Sequence, residues 1–214
     1  MILETLLRDA SLADASGRIY GVAVGVVTDN KDPDSLGRVK VKLPWLGDNV
    51  ESTWARVAVP MAGDKRGLFY LPEVDDEVLL AFEHGDISYP YVVGALWNGK
   101  DAPPETNSDG KNNKRLISSR SGMTLLFDDT SGSEKLELAD KDGKEALTID
   151  MAGKKISLVS SGDLELTASS GTITISGKTV KIDSDGDAEL KATGTLDVGG
   201  KTVNVKGQPT VNLN

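Results

Sequence analysis

A repeat constrains this chain more than any other feature. From Leu147 onward, apolar residues recur in pairs two positions apart: Leu147/Ile149, Ile156/Leu158, Leu164/Leu166, Ile173/Ile175, Val180/Ile182, Leu190/Ala192, Leu196/Val198, Val203/Val205 and Val211/Leu213. The mean step between pairs is eight residues, and glycine stands between most of them, at 153, 162, 171, 177, 186, 194, 199, 200 and 207. A spacing of two puts both members of a pair on one face of a short strand. A period held this steadily marks a stacked architecture. The stretches MTLLF (123–127) and EKLEL (134–138) read as irregular first members of the series.

Each repeat offers one thin apolar face, and that face needs a partner. Folded alone, such a segment is a narrow sheet with long unpaired edges, which invite aggregation. Three chains wound about a common axis remove the problem, because their strands form the faces of a prism and the aliphatic side chains meet inside. Glycine suits the corners, where the backbone must bend sharply. The expected trimer core is Ile156, Leu158, Leu164, Leu166, Ile173, Ile175, Val180, Ile182, Leu196, Val198, Val203 and Val205. Aromatic placement agrees with a narrow core: the 3 Trp, 4 Tyr and 3 Phe all lie at or before Phe127. Stacked at about 4.8 Å per strand, the nine segments from Leu147 would rise roughly 43 Å. A single-chain β-solenoid is the competing architecture, but hexapeptide solenoids repeat every six residues and wider ones stack aromatics or Asn inside. A disordered tail is at odds with the strict alternation.

The front half has a different grammar. Candidate strands are 19–29, 37–43, 53–60, 77–83 and 90–97, separated by Gly and Pro. Several alternate apolar and polar residues as half-buried strands do. Five short strands without a strong helical pattern suggest a small closed barrel of OB or SH3-like type. Residues 98–115, NGKDAPPETNSDGKNNKR, read as a polar linker. The expected organisation is an N-terminal arm at 1–18, a barrel at 19–97, the linker, and a wound rod at 116–214. In the arm, Leu3, Leu6, Leu7 and Ala10 fall on one face of a short helix, which either packs locally or docks on a neighbouring chain.

The chain of 214 residues has no Cys and a formal net charge of −9. An acidic surface disfavours nucleic acid and anionic membranes. No apolar run approaches the ~20 residues that span a bilayer, and the N-terminus lacks the basic region of a Sec signal. Catalytic signals are weak. His84, the only His, stands in EHGD between two strand candidates, without the oriented neighbours of a triad. Glu73, Asp75, Asp76 and Glu77 form an acidic cluster best read as a solvated strand entry. DSDGDAE (183–189) alternates Asp183, Asp185 and Asp187, but lacks the remaining ligands of a calcium loop. No metal, cofactor or enzymatic activity is expected.

Longer motifs carry a resemblance. DPDSLGRVKVKLPWL (32–46) and ESTWARVAVPMAGDKRGLFYLPEVDDEVLLAFEHGDISYPYVVGALWNGKDAPP (51–104) closely resemble the OB-fold domain of phage baseplate assembly protein V and of the related tail spike and VgrG proteins. SSRSGMTLLFDDTSGSEKLELADKDG (118–143) resembles that family's entry into a triple-stranded β-helix. The resemblance implies an all-β chain: an OB-fold barrel followed by an intertwined homotrimeric β-helix. It also implies a structural role as the central spike of a contractile injection machine, a virion component or a phage-like particle, assembled in the bacterial cytoplasm. Such a spike docks on a baseplate hub and is driven through the target envelope. VgrG proteins carry fused hub domains ahead of the OB fold, whereas only about 18 residues precede it here, so a separate hub chain is expected. No lysozyme domain fits the linker. The segment KGQPTVNLN lacks the His of iron-bound tips, and Val211, Leu213 and Asn214 are expected to receive a separate PAAR-type tip protein. The alternative function is an OB-fold binding module for oligosaccharide or nucleic acid on a solenoid stalk, using Trp45, Trp54, Trp97 and Tyr91.

Overall fold

The structure is a computed structural model that describes residues 17–208. The chain divides into two compact units at Ser161/Gly162. Among the described residues there is no α-helix, and the fold is all-β.

The first unit begins with a barrel. Strand β1 (Ala23–Asp29) pairs antiparallel with β2 (Lys40–Lys42) on one side and with β6 (Glu77–Phe82) on the other. Strand β7 (Pro90–Ala95) lies antiparallel to β6 and parallel to β3 (Arg56–Val57), giving the order β2-β1-β6-β7-β3. The two edges of that sheet then meet. Val39 and Ala55 exchange backbone hydrogen bonds of 3.0 and 2.7 Å, which joins the β2 segment to the β3 segment and closes the circuit. This is the five-stranded Greek-key circuit of an OB fold. Closure removes the sheet edges that would otherwise need protection.

Alternation explains why these residues fill the barrel. Val39, Val41 and Leu43, then Val78, Leu80 and Phe82, are buried at every second position and converge with Val27, Ala55 and Val92. Ser52 is the buried polar group; its Oγ accepts from Val41 N–H at 3.1 Å and donates to Thr53 O at 2.6 Å. Both halves of the hydroxyl are thus satisfied, as burial demands. A small hairpin not foreseen from the sequence, β4 (Ala62–Gly63) and β5 (Arg66–Gly67), interrupts the path from β3 to β6.

The rest of the first unit is a five-stranded antiparallel meander: β8 (Lys114–Ser118), β9 (Thr124–Asp128), β10 (Lys135–Ala139), β11 (Ala146–Asp150) and β12 (Lys155–Val159). Its strands pair in order, in register and within one chain. Short local turns connect them, so each strand finds its neighbour close by in sequence. The rod expected from residue 116 therefore opens with pairing inside the chain. In the second unit, residues 162–208 form no hydrogen-bonded strand, and every one of them is exposed.

Candidate interaction surface

Register fixes which side chains share each face of the meander. One row across the five strands reads Arg115, Phe127, Leu136, Ile149, Ile156; the next reads Ile117, Leu125, Leu138, Leu147, Leu158. Alternate residues point to one face, so these two rows make a nearly unbroken apolar strip. It is open to solvent: Ile156 is 71% exposed, Leu138 54% and Phe127 49%. The opposite face carries a row of alternating charge, Lys114, Asp128, Lys135, Asp150, Lys155. Lys135 Nζ also donates to Glu137 at 2.9 Å. Hydrogen bonding from Thr130, helped by nearby Lys114 and Lys135, holds Asp128 below the usual carboxylate range. Glu105 accepts from Lys114 and raises the ammonium's pKa.

The sequence reading placed Ile156 and Leu158 in the core set, and the structure puts them in the last strand of this strip. Leu164, Leu166, Ile173, Ile175, Val180, Ile182, Leu196, Val198, Val203 and Val205 lie in the second unit, each between 49% and 82% exposed. Val211, Leu213 and Asn214 fall outside the described residues, as does the short helix expected at Leu3 to Ala10. The core set omitted Leu125, Phe127, Leu136 and Leu138. Their signal was present as the same two-residue spacing, but successive pairs stand eleven apart rather than eight. The extra residues form the β-turns of the meander. At its far end Glu145 receives hydrogen bonds from the Ser161 backbone at 3.0 Å and hydroxyl at 2.5 Å, and those interactions lower its pKa.

On the barrel's charged side, Arg38 and Lys40 are neutralised internally. Trp54 lies under Arg38 and Lys40, at 5.9 and 5.7 Å from its ring centre. Arg38 is clamped by Asp32 and Asp34, and Lys40 by Glu51 at 2.9 Å. Glu51 is lowered by a hydrogen bond from Thr28 and then by Lys40. These cations are already paired and offer little to a polyanion. His84 sits at positive φ in a 3-10 turn, Glu83–Gly85, where its backbone carbonyl accepts from Arg18. Its place is structural. In the acidic cluster, Asp76 accepts from Glu73 N–H and Glu73 bridges to Arg120, as a strand entry held by its own turn would. Trp45 packs edge-on against Phe82, while Trp97 is exposed on the strand exit.

Residues 23–97 match the family described as the Type VI secretion system/phage-baseplate injector OB domain. A wider stretch is 31% identical over 144 residues to the type VI secretion system spike protein VgrG3 of Vibrio cholerae, covering 63% of this chain and 14% of that protein. Spike protein VgrG2a of Pseudomonas aeruginosa is 31% identical over 140 residues, with 61% and 16% covered. The actin cross-linking toxin VgrG1 of Vibrio cholerae is 30% identical over 136 residues, with 59% and 12% covered. The chain thus spans under a fifth of the length of these relatives. Barrel circuit, motif order and relatives agree: residues 23–97 match an injector OB domain, and the chain is similar to the VgrG-like baseplate and spike proteins of contractile injection systems.

Proposed function

We propose that the chain is the central spike of a contractile injection machine, a homotrimer whose role is mechanical. One observation carries this reading: the exposed two-row apolar strip of β8–β12, followed by exposed apolar pairs at the same two-residue spacing through residue 205. An apolar surface this long does not stay in water on a stable protein. Three copies bring three strips face to face and make a closed prism. Beyond Ser161, each eight-residue repeat supplies one strand and one corner, so neighbouring strands come from the other two copies. The twelve residues from Ile156 to Val205 named above line the axis.

In this reading the barrel docks on the baseplate hub. Val211, Leu213 and Asn214 receive a PAAR-type tip protein, and deletion of 207–214 abolishes capture of that protein while the trimer persists. Among the described residues no helix is long and apolar enough to cross a membrane. In this reading the envelope is met by a rod driven from behind. Light scattering tests the assembly. The expected mass is three times the 22.6 kDa chain, and a value of one chain overturns the proposal.

A further inference from the structure

The barrel is apolar on part of its outside. Strands β1, β6 and β7 bury Val27, Val78, Leu80 and Val92 inward, yet they also point aliphatic side chains outward. Val22, Val24, Val26, Leu79, Ala81 and Val93 make this outer patch. Val24 stands opposite Leu79 in the ladder, and Val22, Val24 and Val93 are 63, 40 and 44% exposed. Strands with apolar residues on both faces are those that a sheet covers on both sides. At the centre Leu79 faces Gly94, where a Cβ would meet nothing within 4 Å, so the patch is open at that position. The contrast with the rest of the barrel is sharp: β2 and β3 point Lys40, Lys42 and Arg56 outward.

We infer that residues 1–16 of this chain cover this patch. The attachment point favours it. Ile19 N–H donates to Gly85 O at 2.8 Å and Arg18 to His84 O at 2.8 Å, which ties the incoming chain to the barrel end where β1 starts. Gly17 has φ of +65°, a conformation suited to reversing direction there. Length fits as well. A helix of the arm's length would measure about 24 Å at 1.5 Å per residue, close to the roughly 23 Å of a seven-residue strand. A helical arm would set Leu3, Leu6, Leu7 and Ala10 in one apolar stripe against the patch. Charge fits too: the arm has Glu4, Asp9 and Asp14 against Arg8 alone, while Lys42 beside Val26 and Arg56 beside Tyr91 flank the patch on its two sides.

The absence of Cys from the sequence makes the test direct. Leu7→Cys is combined in the full chain with Val24→Cys on the patch, or with Lys40→Cys on the charged side. Under mild oxidant the Val24 pair is expected to cross-link at least about tenfold faster, since rate follows effective concentration. Equal rates, or no disulfide in the Val24 pair, overturn the inference. Gel mobility of the oxidised product shows whether an arm lies on its own barrel or on a neighbouring copy's; either supports this docking. Light scattering on the same samples reads assembly separately, so a failed trimer and a failed arm are told apart. Deletion of residues 1–14 gives a second readout. It should raise binding of an apolar fluorescent dye severalfold, and unchanged dye binding counts against the arm as the cover.

Discussion

Asp32 shows how much one side chain organises at the end of the barrel. Only 3% of its side chain is exposed, and it accepts from the backbone N–H groups of Asp34, Leu36 and Arg38 at 3.0, 3.0 and 3.2 Å. It also receives both arms of the Arg38 guanidinium at 2.8 and 2.7 Å. The loop it ties together contains two residues at positive φ, Ser35 and Gly37, which need such restraint. Arg38 first, then the backbone donors, hold its carboxyl well below the ordinary value of 3.8. A depressed folded pKa contributes stability that is present above the unfolded value and lost as pH falls below it towards the folded one. Asp32→Asn should therefore be less stable than the parent above pH ~5, with the gap narrowing as pH falls below ~4. Urea midpoints by tryptophan fluorescence at several pH values check this, and a gap that widens in acid would contradict it. Gly25 makes a second residue-scale case. A Cβ there would meet Val41 Cγ1, Lys42 O at 2.9 Å and Leu80 Cδ1 at 3.0 Å. Overpacking of this kind costs about 1–3 kcal/mol. Gly25→Ala should lower the urea midpoint at unchanged slope, and no shift would mean that the barrel relaxes around the methyl.

At the scale of elements, strands with strict alternation were the most legible. GRVKVKL announces β2 because Val39, Val41 and Leu43 alternate with charge, and EVLLAFE announces β6 by its β-branched and aliphatic run. The hairpin β4–β5 was not legible, since its two-residue strands leave no periodic trace in MAGDKRG. The barrel's closure was legible only in kind: five strands imply a barrel, but the Val39–Ala55 bridge depends on contacts sixteen residues apart. The meander escaped for a different reason. Spacing shows that Leu136 and Leu138 share a face, but not whether the next strand comes from the same chain or another. Turn length decides that, and TSGS and DKDG make turns that fold the chain back on itself. Beyond Ser161 the step between pairs shortens to about eight residues, and no such pairing forms within the chain. An inside/outside assignment there is testable with two variants. On the proposed trimer, Ile175→Asp would bring three carboxylates into a narrow apolar axis, and an unpaired buried charge costs several kcal/mol apiece. The trimer should be lost. Lys178 follows Gly177 at what the proposed trimer makes an outer corner, so Lys178→Asp should leave the trimer intact. Equal loss from both variants by light scattering would refute the assignment.

For the whole molecule, the two units differ in where their stability resides. Among the described residues, the buried hydrophobic side chains all lie in the barrel, between Val27 and Val92, while no residue of 162–208 is buried. The barrel has a core of its own and needs no partner to close it. The described part of the repeat segment has apolar side chains in quantity but buries none of them within one chain, so on the proposed trimer its folding free energy would come from association. Folding that depends on association depends on concentration; folding around an internal core does not. Trp45, Trp54 and Trp97 all belong to the barrel region, which makes tryptophan fluorescence a reporter of that unit. Far-UV circular dichroism reports the added β-structure of the rod. After dilution from denaturant, fluorescence should recover first, at a rate independent of protein concentration. The β-signal should follow more slowly, at a rate that rises with concentration because copies must meet before their strands can pair. Once formed, the wound rod should unfold very slowly, since separating the copies breaks many interchain ladders at once, and it should survive SDS at room temperature. Recovery of both signals together, at one concentration-independent rate, would mean that the repeat folds within a single chain. The solenoid would then replace the trimer as the architecture of this half.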